Sequence, residues 1–345
     1  MKLRLFLLAV VALGLAPGTW VRSVQTSYKD AFTFTSTPLQ VDAWSSGGFT
    51  LKRAWRLDSP HANFGGFSAL LYLGKDQFLA GSDRGYLLRF RLDKDGPADG
   101  ALSRIGPKSA RSKTVVDLES LMLDPATGQF WGGFERSNMI VRYGRDDTEE
   151  VRARPKQMQG WSDNSGPEAM TMLPDGRVIV IAEQRSGKAD GAHEGLLFPG
   201  DPTQGQAAVR FTYMGEDGRR PTDIAITPDG HAVLVLRRFE FQGDPRLSIS
   251  LAVADPADIR PDKVWPNQAV IPFPSSLPLD NFEGLALDGG TWDGAGMGAQ
   301  TCRIWLLSDN NFSAFQDTIL LEFEWADCRS EEGTEKGAQA DPHAP

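Results

Sequence analysis

Acidic residues recur at one place along this sequence. Glu119, Glu168, Asp223 and Glu283 each stand at the start of a short apolar run, and Ser68 holds the same place in an earlier one. From Ser68 through Glu119, Glu168 and Asp223 to Glu283 the gaps are 51, 49, 55 and 60 residues. A second acidic set follows at Asp83, Glu135, Glu183 and Asp309, 15 or 16 residues after its partner in the first three units. Arginines trail this set at Arg84, Arg136 and Arg185, and the fourth unit has Arg237 and Arg238. If each run, turn and run folds as a hairpin, its two outer ends meet. One face of the protein then gathers carboxylates with arginines beside them. Crowded carboxylates repel unless a cation neutralises them. Calcium suits this donor set, because it takes several oxygen ligands and needs no thiolate. Glu119, Glu168, Asp223 and Glu283 are the expected metal ligands. Arg84, Arg136, Arg185 and Asp309 are the expected catalytic set, with the arginines clamping an anionic substrate. The competing reading is structural: charges at strand ends fix loop geometry by ion pairing, as Arg136 beside Glu135 would.

The four histidines, His61, His193, His231 and His343, show no metal-ligand spacing, which argues against zinc. His61 and His193 fall in loops that can reach the acidic face. His231 follows a turn at the opposite end.

The elements that must position these residues read as strands. Short apolar or alternating runs dominate, such as Leu87–Phe90, Val178–Ile181 and Val233–Leu236, and they are bounded by Gly, Pro and Asp. Pro174-Asp175-Gly176 and Pro228-Asp229-Gly230 are strong turn signals. A several-strand unit recurring every 40 to 60 residues or so is the mark of a β-propeller blade. Five units are visible. The runs before residue 60 and the last run, Ile319–Trp325, are expected to build a sixth blade shared by both chain ends. The expected fold is all-β, a six-bladed propeller closed by N- and C-terminal strands. A pair of β-sandwiches is the alternative, and it leaves the regular spacing unexplained.

The chain has 345 residues, 41% of them hydrophobic, with formal charge −9. An acidic protein lacks the positive field that a nucleic-acid backbone requires. Lys2 and Arg4 precede an apolar run from Leu5 to Leu15, and Ala16-Pro17-Gly18 follows. That pattern reads as an export signal over residues 1–18, too short to span a bilayer comfortably. An uncleaved anchor is the one membrane contact left open, and a buried N-terminal element is the structural alternative. Residues 30–326 form the expected propeller domain. Residues 327–345 are polar and are expected to form a disordered tail. Cys302 and Cys328 flank the last two apolar runs, and their midpoint is residue 315. A hairpin there would set them opposite one another, where a bridge would serve in an oxidising compartment. The protein is expected to be monomeric and periplasmic or secreted.

There is no Gly-x-Ser-x-Gly elbow, phosphate-binding loop or dinucleotide fingerprint. The segments Gly66–Leu70, Ser82–Gly85, Asp117–Ser120, Gly166–Ala169, Asn281–Leu285 and Leu306–Phe312, followed by Thr318–Trp325, resemble the phytase-like family described by its "esterase-like activity of phytase". The resemblance runs from about residue 45 to 326. It implies a propeller, export and hydrolysis of phosphoric or carboxylic esters. Two functions follow for weighing. One is a metal-dependent ester or phosphoester hydrolase, with a calcium-dependent lactonase as a variant. The other is a non-catalytic propeller that binds a ligand or an envelope partner. The ring is uneven, with Ser68 in one unit and two arginines in another. That suits one off-centre ligand better than a symmetric scaffold.

Overall fold

Each repeat unit folds as the hairpin its turn signals predict, and adds outer strands to it. The computed structural model describes residues 32–105, 117–162, 166–185, 191–240, 246–288, 301–326 and 328. The expected leader, and the expected tail apart from Cys328, lie outside them. In chain order the strands begin with β1 (Thr35–Pro38), β2 (Ser45–Ser46) and β3 (Phe49–Asp58). The first blade is β4 (Phe67–Gly74), β5 (Gln77–Ser82), β6 (Tyr86–Leu92) and β7 (Pro97–Arg104). The second is β8 (Leu118–Leu123), β9 (Phe130–Phe134), β10 (Met139–Tyr143) and β11 (Glu149–Ala153). The third is β12 (Pro167–Met172), β13 (Val178–Arg185), β14 (Ala192–Phe198) and β15 (Val209–Met214). The fourth begins with β16 (Arg220–Ile226), β17 (Ala232–Glu240) and β18 (Arg246–Ala254). The short β19 (Val264–Trp265) then adds to the third blade, and β20 (Ala269–Pro272) completes the fourth. Last come β21 (Phe282–Asp288), β22 (Cys302–Ser308) and β23 (Thr318–Trp325).

The ring has five blades, which corrects the expectation of six. The inner strands β4, β8, β12, β16 and β21 pack in a cycle that returns from β21 to β4. The material reserved for a sixth blade completes the fifth. The last repeat supplies only β21, β22 and β23, and β3 from the other chain end pairs along β23 from Thr318↔Leu57 to Trp325↔Phe49. Unpaired, β23 would present an open edge. With β3 in place, no full set of strands remains for another sheet among the described residues.

Five buried clusters hold the ring, one at each blade interface. They centre on Leu79 and Val141, Met122 and Val180, Ile181 and Leu234, Val235 and Ile304, and Trp305 with Phe78. Gly284 shows how closely the fifth and first blades meet. A Cβ there would lie 2.9 Å from Leu70 Cβ and 3.1 Å from the Leu70 amide nitrogen.

Cys302 and Cys328 are bridged, with 5.8 Å between their Cα atoms and a sequence separation of 26. The bridge ties the C-terminal end of the described chain to the blade that closes the ring. Changing both cysteines to serine is expected to cost about 3 kcal/mol by loss of the cross-link. Urea denaturation reads this as a lower midpoint. A reductant should bring the wild type to the same midpoint and leave the variant unchanged.

Candidate functional site

All five inner strands carry an irregularity at the same place. Pairing slips between Phe67 and Ala69, Leu118 and Ser120, Pro167 and Ala169, Pro221 and Asp223, and Phe282 and Gly284. The extra residues are Ser68, Glu119, Glu168, Thr222 and Glu283. A bulge leaves its residue out of the ladder and re-aims the side chain. Two residues before them, Gly66, Asp117, Gly166 and Asn281 accept backbone hydrogen bonds from Asp83, Glu135, Glu183 and Asp309, at 2.8, 2.9, 3.1 and 2.8 Å. In the fourth blade the matching pair is Arg220 and Arg237. Two stacked rings result, one of bulge residues and one of hairpin ends. Four blades put a carboxylate in the second ring, and the fourth blade puts a guanidinium there.

The structure brings Glu119, Glu168 and Glu283 together and holds Asp223 apart from them. Asp223 is the residue after the bulge. It accepts the Ile224 amide at 2.8 Å, the Leu285 amide at 2.7 Å, and a further hydrogen bond from the Leu70 amide. Those amides come from the fourth, fifth and first blades, so Asp223 ties three inner strands together. Burial pushes its carboxyl well above the usual range, against the pull of these donors.

Of the remaining carboxylates, Glu168 and Glu119 are the least compensated. Glu168 is 7% exposed and has no hydrogen-bond partner among the described residues. Burial lifts its carboxyl well above the ordinary range, and Glu183 and Glu283 add to the effect. Glu119 is lifted well above its ordinary range by burial and then by Glu168, Glu283, Glu135 and Asp117. Asp309 is raised by burial and by Glu283. Glu135 is lifted to about 7 by burial, with Glu183 and Asp117 contributing. Asp117, Glu119 and Glu135 each place a carboxylate oxygen within 4.8 Å of the others. Such a set of hard oxygen donors, with charge left over, fits calcium.

Arg237 is the cation set among these acids. It donates to Glu283 and to the Asn281 side-chain oxygen, and Asn281 Nδ2 donates to Glu283 at 2.9 Å. Burial works against its charge, but Glu283, Glu168, Glu183 and Asp309 together raise its pKa. Arg220 pairs with Glu183, and Arg136 Nε donates to Asp117 at 2.5 Å. Arg84 lies over the Phe312 ring at 3.2 Å from the centroid and donates to Ala62 O at 3.3 Å. The side chain of Arg185 lies outside the described residues. Arg238 is exposed and donates to Asp217 O.

Of the histidines, His193 is buried in β14. Its Nδ1 lies 3.2 Å from Ala182 O and 3.1 Å from Glu183 O, and burial lowers its pKa. His61 meets the edge of Phe32, and His231 pairs with Asp229 at 3.0 Å beside its hairpin turn. The β22–β23 loop folds across the first blade, where Asn310 Oδ1 accepts the Gly66 amide at 3.1 Å. Gly66 has φ 63°, and a Cβ there would strike Asp83 and Phe312.

Residues 62–312 match the family described as "Phytase-like: Esterase-like activity of phytase". The chain belongs to this phytase-like family. A comparison with curated proteins finds no match. Among solved structures, hydrazine synthase of Kuenenia stuttgartiensis is similar at 12% identity and TM-score 0.37, covering 75% of this chain and 63% of that one. This chain thus spans less than two thirds of that protein. A luciferin-regenerating enzyme is similar at 11% identity and TM-score 0.43, covering 80% of this chain and 86% of that one. Likenesses this distant carry no argument about function.

Sequence reasoning missed Thr222, Arg220 and the grouping of Asp117 with Glu119 and Glu135. Pro167 and Pro221 precede the bulges in blades three and four, so alignment on proline locates Thr222. Arg220 carries no such signal.

The raised Glu135 carboxyl sets a pH dependence. The folded protein holds this proton to about pH 7, while the unfolded chain releases it near the ordinary glutamate value of about 4.3. The stability linked to it is full at low pH and is lost as pH rises through that window. In protein stripped of divalent ions, Glu135→Gln should remove on the order of 1–2 kcal/mol of that loss, with allowance for the partial exposure of Glu135. Urea melts at pH 5 and pH 7.5 measure the difference, and identical pH slopes for variant and wild type would refute it.

Proposed function

We propose that the acidic mouth of the channel hydrolyses esters, phosphoric or carboxylic, with a calcium ion held by Asp117, Glu119 and Glu135 and with Glu168 and Glu283 lending charge. The observation that carries this reading is the group of buried, mutually repelling carboxylates around Arg237. Such charge is costly to bury unless it is paired or holds a metal. Family membership supports hydrolytic chemistry, although a fold alone does not determine a reaction. When bound, a divalent cation polarises the ester oxygen and lowers the pKa of a coordinated water.

The chain's own residues do the rest. Arg84, laid on Phe312 at the rim, offers guanidinium N–H groups to an anionic substrate. Arg136 orients Asp117 through its 2.5 Å bond. Burial raises the Glu283 carboxyl, and Arg237 opposes that shift and fixes Glu283 in place. Its guanidinium also makes the mouth asymmetric, so that negative charge in a transition state is favoured on the fourth-blade side. The Cys302–Cys328 bridge supports the proposal of export, since disulfides persist in oxidising compartments.

Hydrolysis of p-nitrophenyl phosphate and p-nitrophenyl acetate, with and without a chelator, tests the reading. Chelation should abolish turnover, and added calcium should restore it. Glu168→Gln should lower kcat by about 100-fold or more, the scale of losing a main electrostatic group. Activity that survives both chelation and this substitution rules out the metal-dependent mechanism.

A further inference from the structure

We propose that the channel end remote from the acidic mouth binds a single-chain amphipathic anion, such as a medium-chain carboxylate. Four residues beyond each bulge, the inner strands carry Tyr72, Leu123, Met172, Ile226 and Leu287. Each blade thus contributes one apolar or aromatic side chain at the same register position, and each of these side chains is only half-buried. Together they line a cavity of 640 Å³. Small-molecule sites span roughly 300–1,000 Å³ and are mostly apolar with a few polar groups. A wet channel end needs no apolar side chains, and the opposite end of these same strands has charged ones. Concave apolar surface left open to water marks a binding site more often than a scaffold.

Charge selects the head group. Arg89 and Arg145 also line the cavity. Arg89 pairs with Asp147. Arg145 donates to the backbone oxygen of Thr127 and has no carboxylate partner among the described residues. The acid on the lining, Asp288, pairs with Arg303 at 2.6 Å, and Arg303 also pairs with Asp76 at 2.9 Å. Arg145 is thus the lining guanidinium that no described carboxylate pairs with, and it stands at the rim beside the ring of apolar side chains. That complements a carboxylate with an alkyl chain and disfavours a cationic amphiphile. The cavity is separate from the proposed ester site, because Asp223 and its three amide donors lie at the level between them.

Fluorescence of 8-anilinonaphthalene-1-sulfonate, an amphipathic aryl anion, tests this on the whole protein, with dodecanoate as the displacing ligand. The probe should bind at a single saturable site and be displaced by dodecanoate. Ile226→Trp, which fills the cavity, should weaken dodecanoate by about tenfold or more, as expected when an apolar pocket is lost. Arg145→Glu, on an exposed residue, should weaken dodecanoate by about fivefold or more while leaving displacement by neutral dodecanol unchanged, since only the charged contact is removed. Glu168→Gln should change neither. Absence of saturable binding overturns the proposal, as does equal dodecanoate affinity in wild type and Arg145→Glu. The second outcome stands even if Ile226→Trp fails to fold.

Discussion

Carboxylates crowded around one buried guanidinium govern the upper half of this propeller. Five inner strands converge on one channel, and every one of them bulges at the same register, so whatever side chains the bulges carry must meet. Glu119, Glu168 and Glu283 meet there, with Asp309, Glu183 and Glu135 a short distance off, and Arg237, together with Arg220 on Glu183, answers only part of that charge. The excess is expensive to bury in the free protein. A cation site accounts for it directly, since the same repulsion that raises these pKa values becomes affinity once a divalent ion enters.

Ring closure makes this convergence possible. Pairing of β3 with β23 joins the two chain ends in one blade, and the Cys302–Cys328 bridge fastens the chain just after β23 to the start of β22. Close contact at Gly284 brings the fifth blade against the first, and Asp223 stitches both to the fourth through backbone amides. The asymmetry of the mouth therefore rests on a symmetric frame. Substituting Arg237 for an acid in one blade changes the chemistry without changing the hairpin that presents it.

Much of this could be read from the residues. The recurring hairpins, their outer acidic ends and the bridge across the last pair of runs follow from turn signals and spacing. The number of blades did not follow, because a final run such as Ile319–Trp325 can equally begin a new blade or finish an old one, and only pairing with β3 decides. Asp223 was misplaced for a similar reason. Acid-to-acid alignment passes over Thr222, yet Pro221 matches Pro167 and a bulge accepts any side chain. The grouping of Asp117 with Glu119 and Glu135 depends on strand geometry that spacing alone does not encode. The apolar floor of the channel is periodic in the sequence but gains meaning only once five strand ends are known to meet.

Proton release on calcium binding tests the account's central claim most directly. Glu135, lifted to about 7 by burial and neighbouring acids, holds a proton near neutral pH, and an entering cation must displace it. Calorimetric titration of calcium into chelator-treated protein at pH 7, in two buffers of different ionisation enthalpy, measures the protons released. The account predicts saturable binding with a heat that depends on the buffer, both diminished by Glu119→Gln. Absence of binding, or binding with the same heat in both buffers, would contradict it.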